Sequence, residues 1–159
     1  MKLLIKQRFF SWLDSYDVYR EDETTAFRVE GKLAWGHKLE IQDSQGRPLG
    51  TVREELFTFL PRFALYVGDN CIGCVRKEFS FFRPVYSLDV QGWTVEGDWL
   101  GWDYRVLDGQ GRMVMQLSKE LFHWTDTYVL DIVHERDELL CLMGVLAIDA
   151  ANCSNRSTG

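Results

Sequence analysis

Apolar and polar residues alternate along most of the chain up to residue 134. The alternation is clearest in residues 63–67 and 86–90, and a period of two is typical of strands that bury one face. Bends fall between such stretches, at Asp and Pro residues that favour turns. Twelve strands are predicted, near residues 3–10, 14–20, 26–30, 37–43, 49–58, 62–68, 71–81, 84–90, 93–97, 102–108, 112–122 and 127–134.

Residues 139–148 break this alternation, because they are apolar at every position. A helix made of them has no face for water, so we expect it to be buried on all sides. The run is also too short for a bilayer, which needs about 20 apolar residues. We predict a helix of about 17 residues that begins at Asp137, with core positions at Leu139, Leu142 and Leu146.

The chain repeats itself at a spacing of 65 or 66 residues. The motif Val-Glu-Gly at 29–31 returns at 95–97, and Asp-Ser-Gln-Gly-Arg at 43–47 returns as Asp-Gly-Gln-Gly-Arg at 108–112. Self-similarity at a fixed period is typical of a repeated structural unit. The pattern indicates that a half of six strands has been duplicated.

Twelve strands and one apolar helix together suggest an architecture. Eight strands make a barrel that side chains can fill, so twelve strands would leave a lumen. A helix is about 10 Å across and would occupy that lumen. We therefore predict a mostly β fold, a twelve-stranded antiparallel barrel from a duplicated half, with the buried C-terminal helix through its centre. Asp149 is expected at the barrel mouth, hydrogen-bonded there.

Composition and charge narrow the class of protein. The chain has 159 residues, of which 46% are hydrophobic, and this is enough for one domain, predicted over residues 1–151 with a disordered tail at 152–159. A net charge of −6 gives no overall attraction for nucleic acid. Only three apolar residues separate the first two lysines, so we expect no signal peptide, no transmembrane segment and a cytoplasmic location.

Several motifs along the chain resemble one protein family. They lie at residues 5–12, 29–31, 77–86, 93–97, 126–130 and 147–149, and this resemblance to the LURP-one-related family covers nearly the whole chain. That family is similar in fold to the C-terminal domain of Tubby proteins and to phospholipid scramblases. The resemblance implies a twelve-stranded barrel threaded by a hydrophobic C-terminal helix, and it attaches no activity to any residue.

Cysteine and histidine give weak signals for chemistry. Cys71 and Cys74 form a Cys-x-x-Cys motif, but they fall on a predicted strand, whereas redox pairs usually sit at a helix N-terminus. His37, His123 and His134 are scattered along the chain. We expect ordinary strand positions, with no metal and no cofactor.

The carboxylates Asp98 and Asp103 flank Trp99 and Trp102, which suggests a sugar platform with an acid and a base. A loop with two aromatic residues beside a turn is more typical of packing at a strand edge. We therefore predict no catalytic residue and no enzyme, and an enzyme that uses this loop ranks last among the hypotheses.

Basic residues in the paired hairpins are the candidate binding residues. Tubby domains are associated with phosphoinositide headgroups, and neighbouring strands could bring these residues together around an anion. They are Arg53, Arg62, Arg76, Lys77 and Arg83. Glutamates at 54, 55 and 78 are interleaved with them, so cross-strand ion pairs explain the pattern equally well.

Two functional hypotheses remain from the sequence. The first is a non-catalytic cytoplasmic binding or scaffold domain of the LURP-one-related type, whose partner is an unidentified protein. The alternative is a protein at the membrane surface that binds anionic, phosphoinositide-like lipid headgroups through a local basic patch.

Overall fold

The computed structural model describes residues 1–6, 15–34, 36–79, 81, 85–122 and 125–154. Within these residues the chain forms twelve strands, a short 3-10 turn (Glu135–Asp137) and one helix, α1 (Glu138–Ser154). The strands are β1 (Lys2–Ile5), β2 (Ser15–Arg20), β3 (Thr25–Ala34), β4 (Gly36–Asp43), β5 (Pro48–Glu54), β6 (Arg62–Val67), β7 (Asn70–Glu78), β8 (Val85–Asp89), β9 (Thr94–Asp98), β10 (Asp103–Leu107), β11 (Met113–Phe122) and β12 (Thr125–Ile132). The mostly β prediction is confirmed.

All twelve strands belong to one antiparallel sheet that curls into a nearly closed barrel. Strands that follow each other in the chain are hydrogen-bonded neighbours, and β1 pairs with β12 to bring the first and last strands together. The exception is β8 and β9, which are the two edges of the sheet. The tight turn at 90–93 joins them, so the barrel has one seam without a hydrogen-bonded ladder.

The two ends of the barrel differ in what they carry. We call the end of the barrel at which β1, β3, β5, β7, β9 and β11 finish the upper end, and the opposite end the lower end. The helix begins at the lower end, where Glu138 is ion-paired with Arg20 of β2 at 2.8 Å. It extends to the upper end, where the Asn152 amide donates to the Trp99 carbonyl at 3.5 Å.

The helix is buried on every side. Each residue from Cys141 to Asn152 is buried, and Leu142 and Leu146 have no exposed surface. Leu139 lies in the first turn of the helix and is partly buried. The run packs chiefly against β5, β6, β7 and β12. At Gly50 of β5 an added Cβ would lie 2.8 Å from the Met143 sulfur, so the strand and the helix approach closely there.

Asp149 lies near the upper end of the helix, and it has no exposed surface. Its carboxylate interacts electrostatically with two tyrosines of the barrel wall. Burial, and secondarily the Asp149 carboxylate, raise the hydroxyl pKa of both Tyr16 and Tyr104. The helix also continues past the predicted start of the tail, because it ends at Ser154 with Asn152 buried.

The hairpins at 43–47 and 108–112, which are equivalent in the repeat, share their local geometry. In the hairpin at 43–47, the Asp43 carboxylate accepts the backbone N–H of Gln45 at 2.8 Å and of Arg47 at 3.0 Å, and it accepts Arg47 Nε at 2.6 Å. In the hairpin at 108–112, the carboxylate of Asp108 has the same three partners, at 2.8, 3.0 and 2.9 Å. The repeat in the sequence is therefore a repeat in the structure of these two hairpins.

We expect replacement of Leu142 by Ala to lower the free energy of unfolding by about 2 to 5 kcal/mol, because it leaves a cavity in a closed core. Leu139→Ala, at a partly buried position of the same helix, should cost clearly less. Denaturant unfolding of both variants is the measurement. Equal losses would contradict a lumen filled by this helix.

The two hairpin carboxylates should titrate alike and below the normal range of aspartate. Backbone N–H groups, with Arg47 or Arg112, lower the pKa of Asp43 and of Asp108. A lowered pKa in the folded state stabilises the fold above the unfolded value of about 3.9, and this stabilisation is lost as the pH falls through the folded pKa. Carboxyl NMR titration measures both groups. A normal pKa at either one would contradict the shared geometry.

Candidate functional site

Large apolar side chains are exposed mainly at the upper end. Of the nine that are exposed among the described residues, six lie in three upper loops. These six are Leu56, Phe57, Phe59, Phe79, Phe81 and Leu100. We call the four phenylalanines the aromatic rim. Phe57 is 101% and Phe59 94% exposed, so their rings stand almost wholly in water.

The loop that carries Phe57 and Phe59 is closed firmly at its base. The backbone N–H of Glu55 donates to the Arg62 carbonyl at 2.9 Å, and the two side chains form an ion pair at 2.8 Å. Phe57 has a positive φ of 65°, which costs a residue with a Cβ about 1 to 2 kcal/mol. Because its ring gains no packing in return, this strain is a reason to look for function here.

The second part of the rim follows β7. Phe79 is 70% and Phe81 85% exposed, and their ring centroids lie 5.1 Å apart in an edge-to-face arrangement. The two loops of the rim are adjacent, because β6 and β7 are neighbours in the sheet and the Lys77 N–H donates to the Pro61 carbonyl at 3.0 Å. The four rings therefore project from one side of the upper end.

Three of the candidate basic residues share the outer wall below the rim. Arg62 of β6 lies directly opposite Arg76 of β7, and Arg53 is on the neighbouring strand β5. The next pair in the register, Phe63 and Val75, is buried in the core, so the two arginines face outward. Lys77 is paired with Tyr86, a core residue, and so belongs to the inner face. Arg83 lies outside the described residues.

Two of the three arginines form ion pairs with glutamates, and ion pairs were one of the two explanations that the sequence left open for the basic residues. Arg62 pairs with Glu55 at 2.8 Å, and Arg76 pairs with Glu78 at 3.2 Å and donates to Ser87 at 3.0 Å. Arg53 is exposed and makes no ion pair within the described part of the chain. Surface pairs of this kind are worth at most about 1 kcal/mol, so an external anion can compete for these arginines.

The carboxylates at 98 and 103 are cross-strand partners of β9 and β10, and Asp98 closes its own loop by accepting the N–H of residue 101 at 3.0 Å. Trp99 packs between Tyr86 of β8 and Tyr104 of β10, with centroids at 5.3 and 5.9 Å. The loop thus fills the seam of the barrel with aromatic rings.

The cysteines and histidines are not gathered in one place. Cys71 is exposed and Cys74 buried, and both are free thiols on β7. His37 lies 2.7 Å from a glutamate of β5, His134 follows β12 at the lower end, and His123 is outside the described residues. Among the residues that are described, no group of three potential ligands could hold a metal ion.

Sequence reasoning missed the aromatic rim. The predicted strands extended to residues 58 and 81, because phenylalanine favours strands, and this placed most of the rim inside the sheet. A signal was present: Phe57-Thr-Phe59 and Phe79-Ser-Phe81 lie beyond the last charged residues of β5 and β7. Apolar residues in a loop, where no core is available, indicate a contact surface.

Comparison with known proteins adds the relationships of the chain. A family model described as LURP-one-related matches residues 1–149. The chain is 31% identical over 150 residues to the "Uncharacterized protein YxjI" of Bacillus subtilis (strain 168), and the match covers 94% of this chain and 92% of that protein. No solved structure matches. No helix among the described residues is long and apolar enough to cross a membrane.

Proposed function

The chain belongs to the LURP-one-related family, and we propose that it is a non-catalytic binding domain that docks its aromatic rim on an anionic membrane surface. The observation that carries the proposal is the exposure of Phe57, Phe59, Phe79 and Phe81 at the tips of two adjacent loops. The arginines at 53, 62 and 76 lie on the wall below these tips.

The shape of the rim favours a bilayer over a folded partner. Phe57 and Phe59 stand in water separately, whereas protein interfaces use packed patches that fit a complementary surface. The interface of a bilayer adapts to a projecting ring and needs no preformed pocket. Burial of one phenylalanine is worth about 1.5 to 3 kcal/mol, so two or three rings suffice for reversible binding.

The arginines supply a second attraction in the same orientation. Each cation near an anionic leaflet contributes about 1 kcal/mol, and Glu55 and Glu78 reduce this contribution. The whole chain carries a charge of −6, so most of its surface is repelled by such a membrane. Rim and arginines together favour contact at the upper end, with a binding strength that falls as salt is raised.

Several carboxylates have structural roles, and this agrees with a binding role without catalysis. Asp98 closes a loop, and Asp43 and Asp108 organise hairpins. The first hypothesis from the sequence, a scaffold for a protein partner, remains the competing explanation for the rim. The scaffold hypothesis predicts that the aromatic rim does not bind lipid vesicles.

We expect the chain to cosediment with vesicles of phosphatidylcholine and phosphatidylserine more than with phosphatidylcholine alone. The double variant Phe57→Ser and Phe81→Ser should bind at least about tenfold more weakly, because two rings no longer insert. Arg53→Glu with Arg76→Glu should remove most of the preference for the anionic lipid.

Val67→Ser changes an exposed apolar residue of β6 at the lower end and is the matched control, with binding unchanged. Thermal melting checks that each variant is folded. Absence of vesicle binding by the unmodified chain, or equal binding by the phenylalanine variant, would refute membrane docking and leave the scaffold hypothesis.

A further inference from the structure

A concave surface lies at the lower end, away from the aromatic rim. It is a groove of about 610 Å³ between the turn at 90–93, the hairpin at 108–112 and the segment at 133–137, and we call it the lower groove. Its volume is that of a small-molecule site. Trp93 and Val114, both buried, contribute to its lining, and Met113 and Val133 keep about half of their surface exposed.

The charges around the lower groove are unevenly exposed. The side chains of Arg112 and Arg136 are 74% and 81% exposed, whereas the carboxylates of Asp108 and Asp137 are only 22% and 17% exposed. Asp108 is also occupied by backbone N–H groups of its own hairpin. A ligand that enters from solvent therefore meets two guanidinium groups before it meets a carboxylate.

Arg112 can bind a second anion while it keeps its hairpin partner. Its Nε is bonded to Asp108 at 2.9 Å, and a guanidinium has two further nitrogens that donate. Arg136 has a weaker tie, since its Nε lies 4.0 Å from Asp137. Guanidinium groups match a carboxylate in shape and can bind both of its oxygens.

The internal repeat allows the hairpin at 108–112 to be compared with its equivalent at 43–47. The hairpin at 43–47 has the same hydrogen bonds, but there β6 passes into β7 through a turn at 68–69. In the second half, β12 is followed by the segment at 133–137 and then the helix, and this segment is a wall of the groove. Both hairpins therefore carry the arginine, and the connection to the helix adds the groove beside the one at 108–112.

We propose that the lower groove binds a small organic anion, a carboxylate attached to a flat apolar body. The body packs on Trp93 between Met113 and Val133, and the carboxylate faces Arg112 and Arg136. This site is at the other end of the barrel from the membrane-docking surface and does not depend on it.

Indole-3-acetate is the probe, and its neutral amide is the reference compound. Titration is followed by NMR at the indole N–H of Trp93. We expect a saturable shift with the carboxylate and an affinity for the amide that is at least about fivefold lower, because a charge-assisted hydrogen bond is lost. Arg112→Gln and Arg136→Gln should each weaken the carboxylate about fivefold and leave the amide unchanged.

Arg47→Gln is the matched control, since it breaks the same ion pair in the other copy of the hairpin and should leave binding intact. Arg136 is largely exposed, so its variant tests the site even if Arg112→Gln disturbs the hairpin. No shift at Trp93, equal affinity for acid and amide, or equal weakening by Arg47→Gln and Arg112→Gln would each overturn the proposal.

Discussion

A ring of twelve strands encloses more space than its own side chains can fill, and the rest of this structure depends on that constraint. The interior is occupied by a helix that is buried continuously from Cys141 to Asn152. A filler of this kind can have no polar stripe, which explains why the apolar run shows no periodicity. The helix also restricts which residues fit in the strands of the wall. Glycine at position 50 leaves room for Met143, because strand and helix lie close together there.

A filled interior moves recognition to the two ends of the barrel. The side wall offers mainly paired charges, and the seam between β8 and β9 is closed by Trp99 between two tyrosines. The loops of the two ends differ in kind. The upper ones project apolar rings, whereas the lower ones form a groove with exposed cations around a tryptophan.

Periodicity and internal repetition were sufficient to predict the strands and the helix, because both follow from which residues need burial. Periodicity and repetition were not sufficient to predict the structure at the two ends of the barrel. Phe79 and Phe81 have the composition of a strand, and only the path of the chain shows that no core covers them. One error was avoidable: neighbours such as Arg76 and Lys77 point to opposite faces of a strand and cannot form one patch.

The pairing of β1 with β12 has a consequence for biosynthesis. The amino group of Met1 donates to the carbonyl of Ile132 at 2.8 Å, across a separation of 131 residues. At about 5 to 20 residues per second, a ribosome needs on the order of 10 s to supply that partner. During this interval β1 has an open edge, and the apolar inner faces of the earlier strands lack the helix. The nascent chain therefore needs protection from aggregation until its last segment emerges.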